Sequence, residues 1–81
     1  MVKVISAKLE DDYKIYVEFN NGKKGTIDFQ KILEADHRKP VKDLLNRELF
    51  KTVQVNLNTL CWENEVDFAP DYLLEQLKTK V

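Results

Sequence analysis

The sequence predicts a small α+β domain. About five short strands form an antiparallel or mixed sheet, packed against two or three short helices, in the order β-β-β-α-α-β-β-α. Three observations lead there. The N-terminal part alternates apolar and polar residues with period two, and an Asn-Gly pair separates two such runs. The middle of the chain switches to leucines at three- and four-residue spacing. A second alternating block then runs into a leucine-rich tail headed by proline. Strands joined by hairpins, with helices in separate stretches, build an α+β layer rather than a parallel βαβ sheet. No linker, repeat or low-complexity tract divides the chain, so residues 1–81 are read as one domain.

The first strand is placed at residues 2–9, rich in Val and Ile, and Glu10 to Asp12 form a turn. In the second strand Tyr13, Ile15, Val17 and Phe19 share one face, with Lys14, Tyr16 and Glu18 on the other. Asn21-Gly22 suits a type I′ hairpin turn, which needs positive φ at both central residues. The third strand returns with Ile27 and Phe29 inward. Ile32 and Leu33 mark a helix of a turn or two ending near Asp36, and a polar connector is closed by Pro40. Val41, Leu44, Leu45 and Leu49 give an amphipathic helix that breaks near Asn46. Val53, Val55 and Leu57 line one side of a fourth strand, and Asn58-Thr59 turns into the fifth, residues 60–68. Pro70 fits the first helical position, where its missing N–H is not needed. Asp71 in that turn complements the helix dipole, and Leu73, Leu74, Leu77 and Val81 supply the apolar side.

Composition excludes several function classes. Hydrophobic residues make up 43% and charged residues 33%, the balance of an ordered domain. The formal net charge is −1, with basic and acidic residues interleaved, which provides no field for a polyanion. A single cysteine rules out an internal disulfide and a cysteine-rich zinc site. The N-terminus carries no apolar run long enough for a signal peptide or membrane span, so a cytoplasmic protein without membrane association is expected. No nucleophile elbow, P-loop or dinucleotide fingerprint is present.

The stretch Cys61–Leu77 gathers the only Trp, the only Cys and the carboxylates Glu63, Glu65, Asp67 and Asp71. Straight alternation puts Leu60, Trp62, Val66 and Phe68 on a buried face and Cys61, Glu63, Glu65 and Asp67 towards water. Alternate residues on one strand lie about 6.5–7 Å apart, too far to converge on one cation. Asp67 is expected to help cap the last helix, because Ala69 at the formal cap position is a poor one. Cys61 and His37 are the only thiol and imidazole; no catalytic, metal or cofactor-binding residue is assigned. His37-Arg38-Lys39 and Lys23-Lys24 are read as solvated charge.

The segments "VEFNNGKKGTIDF", "PVKDLLNRELFKTVQV" and "WENEVDFAPDYL" carry a resemblance. Over nearly its whole length the chain resembles the bacterial family called domain of unknown function 2442. The matching positions are Phe19, Gly22, Asp28, Leu44, Phe50, Trp62, Asn64, Asp67, Ala69, Pro70 and Leu73. The resemblance implies fold-determining roles for them. Where the family has Gly after the Asn, this chain has Glu65, which implies that Asn64 takes the left-handed geometry or that a bulge is reshaped. A bulge there would break the alternation after Trp62. The family is similar to the N-terminal domain of some helix-turn-helix proteins, for which 81 residues leave no room. Family relatives are often encoded beside a second small protein.

These observations together point to a protein-binding module, an antitoxin-like or regulatory partner of an adjacent gene product, and not an enzyme. The alternatives are an accessory nucleic-acid-linked domain or an enzyme using surface carboxylates. A homodimer through an exposed sheet edge or the Tyr16 face is a further expectation.

Overall fold

The computed structural model describes residues 1–79; Val81, assigned above to the last helix, lies outside the described residues. The elements are β1 (Val4–Leu9), β2 (Lys14–Phe19), β3 (Lys24–Asp28), α1 (Gln30–Ala35), α2 (Lys39–Lys42), a 3-10 turn (Asp43–Leu45), α3 (Arg47–Phe50), β4 (Gln54–Asn56), β5 (Thr59–Cys61), β6 (Asp67–Phe68) and α4 (Pro70–Thr79). The α+β class holds. Instead of one sheet of about five strands there are two antiparallel three-stranded sheets, β1-β2-β3 and β4-β5-β6.

The first sheet follows its alternation. Register pairs Leu9 with Ile15 and Ile15 with Ile27, and likewise Ala7 with Val17 and Val17 with Gly25. These residues face the core. Lys8, Tyr16 and Thr26 form a row on the opposite face. Opposite charges meet across the strands at Lys14–Asp28 and Glu18–Lys24. A register shift between Val4 and Ser6 leaves Ile5 as an extra residue, half exposed.

The β2–β3 turn differs from the type I′ expectation. Only Gly22 has positive φ, +86°. The N–H of Gly22 donates to the Phe19 carbonyl, and that of Phe19 to the Lys23 carbonyl. This is a three-residue loop whose last position is left-handed, the usual companion of a G1 bulge. A two-residue turn with both φ positive sits instead between β4 and β5, at Leu57 (+53°) and Asn58 (+64°).

Helical segments are short and individually capped. Asp28 Oδ1 accepts from the Gln30 N–H at 3.0 Å, opening α1. Lys42 Nζ donates to the Glu34 carbonyl near the end of α1, a cation at the negative end of the dipole. Pro40 stands in the first turn of α2 rather than closing a connector. The helix does break at Asn46, whose Oδ1 accepts from Glu48 and Leu49 N–H groups at 2.9 and 3.3 Å. That break, with the helix begun at Pro40, raises the helix number to four among the described residues. On β3, a Cβ at Gly25 would lie 3.0 Å from Leu77 Cδ2, so the missing side chain lets α4 settle on the sheet.

One core cluster joins both sheets and all the longer helices. Its centre is aromatic. Trp62 lies with ring centroids 5.9 Å from Phe29, 5.7 Å from Phe50 and 5.7 Å from Phe68. The indole N–H donates to the buried Phe50 carbonyl at 2.9 Å, so the polar end of the ring is satisfied inside the core. Trp62→Ala removes ring packing and this bond together. Urea denaturation is expected to show a loss of about 3–5 kcal/mol; an unchanged midpoint would show that the indole is not structural.

Candidate functional site

The segment predicted as one fifth strand is a hairpin. Leu60 pairs with Phe68 and Cys61 with Asp67. Between them the Trp62 N–H donates to the Val66 carbonyl and the Glu65 N–H to the Trp62 carbonyl, both at 3.0 Å. Straight alternation fails after Trp62 because the chain reverses there. The turn has the same hydrogen bonds as Phe19–Lys23. In both, an Asn side-chain oxygen accepts the N–H two residues on: Asn21 from Lys23 at 3.0 Å, Asn64 from Val66 at 3.3 Å. Gly22 fills the left-handed position in one turn and Glu65, at φ +71°, fills it in the other. Asn64 therefore does not absorb the left-handed geometry; Glu65 does.

Long-range bonds hold this turn in place. The Glu63 N–H donates to Thr52 Oγ1 at 3.1 Å, and Asn64 Nδ2 donates to the Pro40 carbonyl at 3.0 Å. Thr52 and Pro40 had no sequence signal for this role, because each bond spans a distance set only by the fold. Asp67 takes no part in capping α4: it is exposed on β6 and its carboxylate makes no recorded hydrogen bond or ion pair. Ala69 still offers its carbonyl to Leu73 N–H.

The reversal brings Cys61, Glu63, Glu65 and Asp67 to one cleft of about 440 Å³ on the outer face of the second sheet, together with Gln54, Asn56 and Leu57. Distance along a straight strand kept these acids apart in the sequence reading; the hairpin brings them together around an open depression. Among the described residues no group of three His, Cys, Asp or Glu side chains is arranged to hold a metal ion. Cys61 is partly exposed and shares no hydrogen bond with His37. At the rim, Leu57 is 88% exposed while holding a left-handed φ.

A second cluster lies where the α1–α2 connector meets α4. Asp36 accepts from Arg38 three times: Nη2 at 2.8 Å, the backbone N–H at 2.9 Å and Nε at 3.0 Å. These bonds hold its carboxyl at about 2, below the ordinary 3.8, the side-chain bond contributing most. Arg38 is pushed up by the same bond. Tyr72 stacks on Phe68 at 5.5 Å, and its hydroxyl is pushed up first by burial and then by the Asp36 charge. Lys39 pairs with Asp43 at 2.9 Å. Arg38 and Lys39, read from sequence as solvated cations, are thus paired within the chain. No helix of the described residues is long and apolar enough to cross a membrane.

The family model described as "Protein of unknown function (DUF2442)" matches residues 4–79 of the 81. The chain belongs to that family. No curated protein and no solved structure matches it. In this DUF2442 chain the motif positions have visible physical roles. Phe19, Phe50, Trp62 and Leu73 are buried. Gly22 supplies a left-handed φ, Asp28 opens α1, Asn64 closes and anchors a turn, and Pro70 begins α4. Ala69 and Asp67 are exposed.

Two expectations follow. Glu65→Gly relieves a left-handed residue and should raise stability by about 1 kcal/mol, read as a shift in urea midpoint; a loss would show that the Glu65 side chain supports the turn. For Asp36 the folded pKa is lowered, so its stabilisation is full above pH about 4 and lost as pH falls towards 2. Melting temperature should therefore fall less steeply across that window in Asp36→Asn than in the parent, and equal slopes would remove Asp36 from the acid response.

Proposed function

We propose that this protein is a protein-binding module that uses the outer face of β4–β5–β6, with Leu57 as its apolar anchor. Leu57 carries the proposal. A non-glycine residue in the left-handed region is disfavoured by about 1–2 kcal/mol, and an apolar side chain 88% exposed recovers nothing by packing within the chain. Both penalties fall on one residue at a hairpin tip, beside an open cleft. Asn or Gly would make the same turn at lower cost. A bound partner that covers Leu57 would offset the penalty, since burial of a leucine contributes roughly 1.5–3 kcal/mol.

The occupant fitting the family resemblance is the product of an adjacent gene, with this chain as its antitoxin-like or regulatory partner. No catalytic step belongs to this reading.

Leu57→Asn separates binding from folding. The free protein should become more stable by about 0.5–1 kcal/mol by thermal or urea melting. Complex formation with the co-expressed neighbouring product, followed by size-exclusion chromatography, should be lost. A variant that is less stable, or that binds as well as the parent, would overturn the anchor role. Elution of the parent alone as a homodimer broken by the same substitution would make a second copy the occupant.

A further inference from the structure

Deepening that reading, and resting on it, we infer that the partner presents an extended segment bearing alternate Lys or Arg side chains to the β4–β5–β6 cleft. Charge on the rest of the surface is largely answered within the chain: Asp12 pairs with Arg47, Asp36 with Arg38, Asp43 with Lys39 and Glu48 with Lys51. Glu63, Glu65 and Asp67 line the cleft without a recorded ion pair or side-chain hydrogen bond among the described residues. No Lys, Arg or His lines it with them. In a chain of net charge −1, this face therefore concentrates uncompensated negative charge over a concave surface, where fields are focused.

The arrangement also selects the form of the cation. The acids do not converge on a metal-binding group. They follow one another at every second residue of the hairpin, Glu63, Glu65 and Asp67. An extended peptide presents alternate side chains on one face about 6.5–7 Å apart, which suits separate cationic groups rather than a single ion. Gln54 and Asn56 on the cleft wall offer amides for the backbone of such a segment. Leu57, exposed at the rim, gives it an apolar contact where the charges end. A polyanion is the partner this face repels.

The test uses the full chain and three synthetic octapeptides, Arg-Thr repeats with one central Leu and the same peptide with Gln or Glu for Arg. Binding is followed by calorimetry and by backbone amide NMR shifts. The Arg peptide should bind and shift Cys61, Glu63, Glu65 and Asp67, and its affinity should fall between about 0.05 and 0.5 M salt. The Gln and Glu peptides should not bind. Combined Glu63→Gln, Glu65→Gln and Asp67→Asn should weaken the Arg peptide roughly tenfold or more. The charge-matched control Asp11→Asn, Glu34→Gln and Glu75→Gln should bind as the parent does, with circular dichroism checking the fold of both variants. No binding, equal binding to the cleft variant, or equal loss in the control would overturn the inference. Loss of the natural partner in Leu57→Asn alongside any of those results would leave the binding module standing without its cationic segment.

Discussion

The hydrogen bond from the Trp62 indole to the Phe50 carbonyl is the constraint on which the rest of the molecule depends. It joins the end of α3 to the start of the β5–β6 turn inside an aromatic cluster, where an unpaired N–H or carbonyl would be penalised. Phe29, directly after β3, packs on the same indole and on Phe68. Two small sheets, neither with enough area to stand alone, thereby share one core. Because the ring is fixed, the chain after it must turn at a set place, and Thr52 and Pro40 receive the turn at set positions.

Two turns with the same hydrogen bonds make different uses of sequence. At Gly22 the left-handed position carries a residue without a Cβ penalty; at Glu65 it carries a charged side chain. A third turn puts a leucine in left-handed geometry at the outer tip of a hairpin. Strain of this kind persists where the surroundings determine it. Around Glu65 they do: its turn is held by four bonds to Thr52, Pro40, Trp62 and Val66. Leu57 has only its two-residue hairpin, tied back to β1 by the Val4 N–H to the Asn58 carbonyl. Its side chain meets solvent, which distinguishes a residue placed for the fold from one placed for contact with something else.

Charge tells a parallel story. The basic residues of the α2 region, which looked free in the sequence, are occupied by Asp36 and Asp43. The acids near Trp62, which looked like an ordinary solvated strand face, are the ones left uncompensated, and they border a concavity. Exposed ion pairs contribute little to stability. What they decide is which surface is left with a field, and here that surface lies on the second sheet.

By itself the sequence determined the fold class, the β1–β2–β3 meander with its inward Ile15, Val17, Phe19 and Ile27, the helix break at Asn46, the burial of Trp62 and the family membership. Those features rest on local periodicity, on a capping side chain two or three residues from the N–H groups it serves, and on motif spacing. Only the tertiary structure decided that the fifth strand is a hairpin, that Asp28 rather than Asp67 serves a helix start, that Leu57 points outward, and that Cys61, Glu63, Glu65 and Asp67 share a cleft. The physical reason is the same in each case. Period-two patterning reads identically through a strand and through a short reversal when the turn lacks glycine. The bonds that select the reversal, from Trp62, Glu63 and Asn64 to Phe50, Thr52 and Pro40, join residues far apart along the chain.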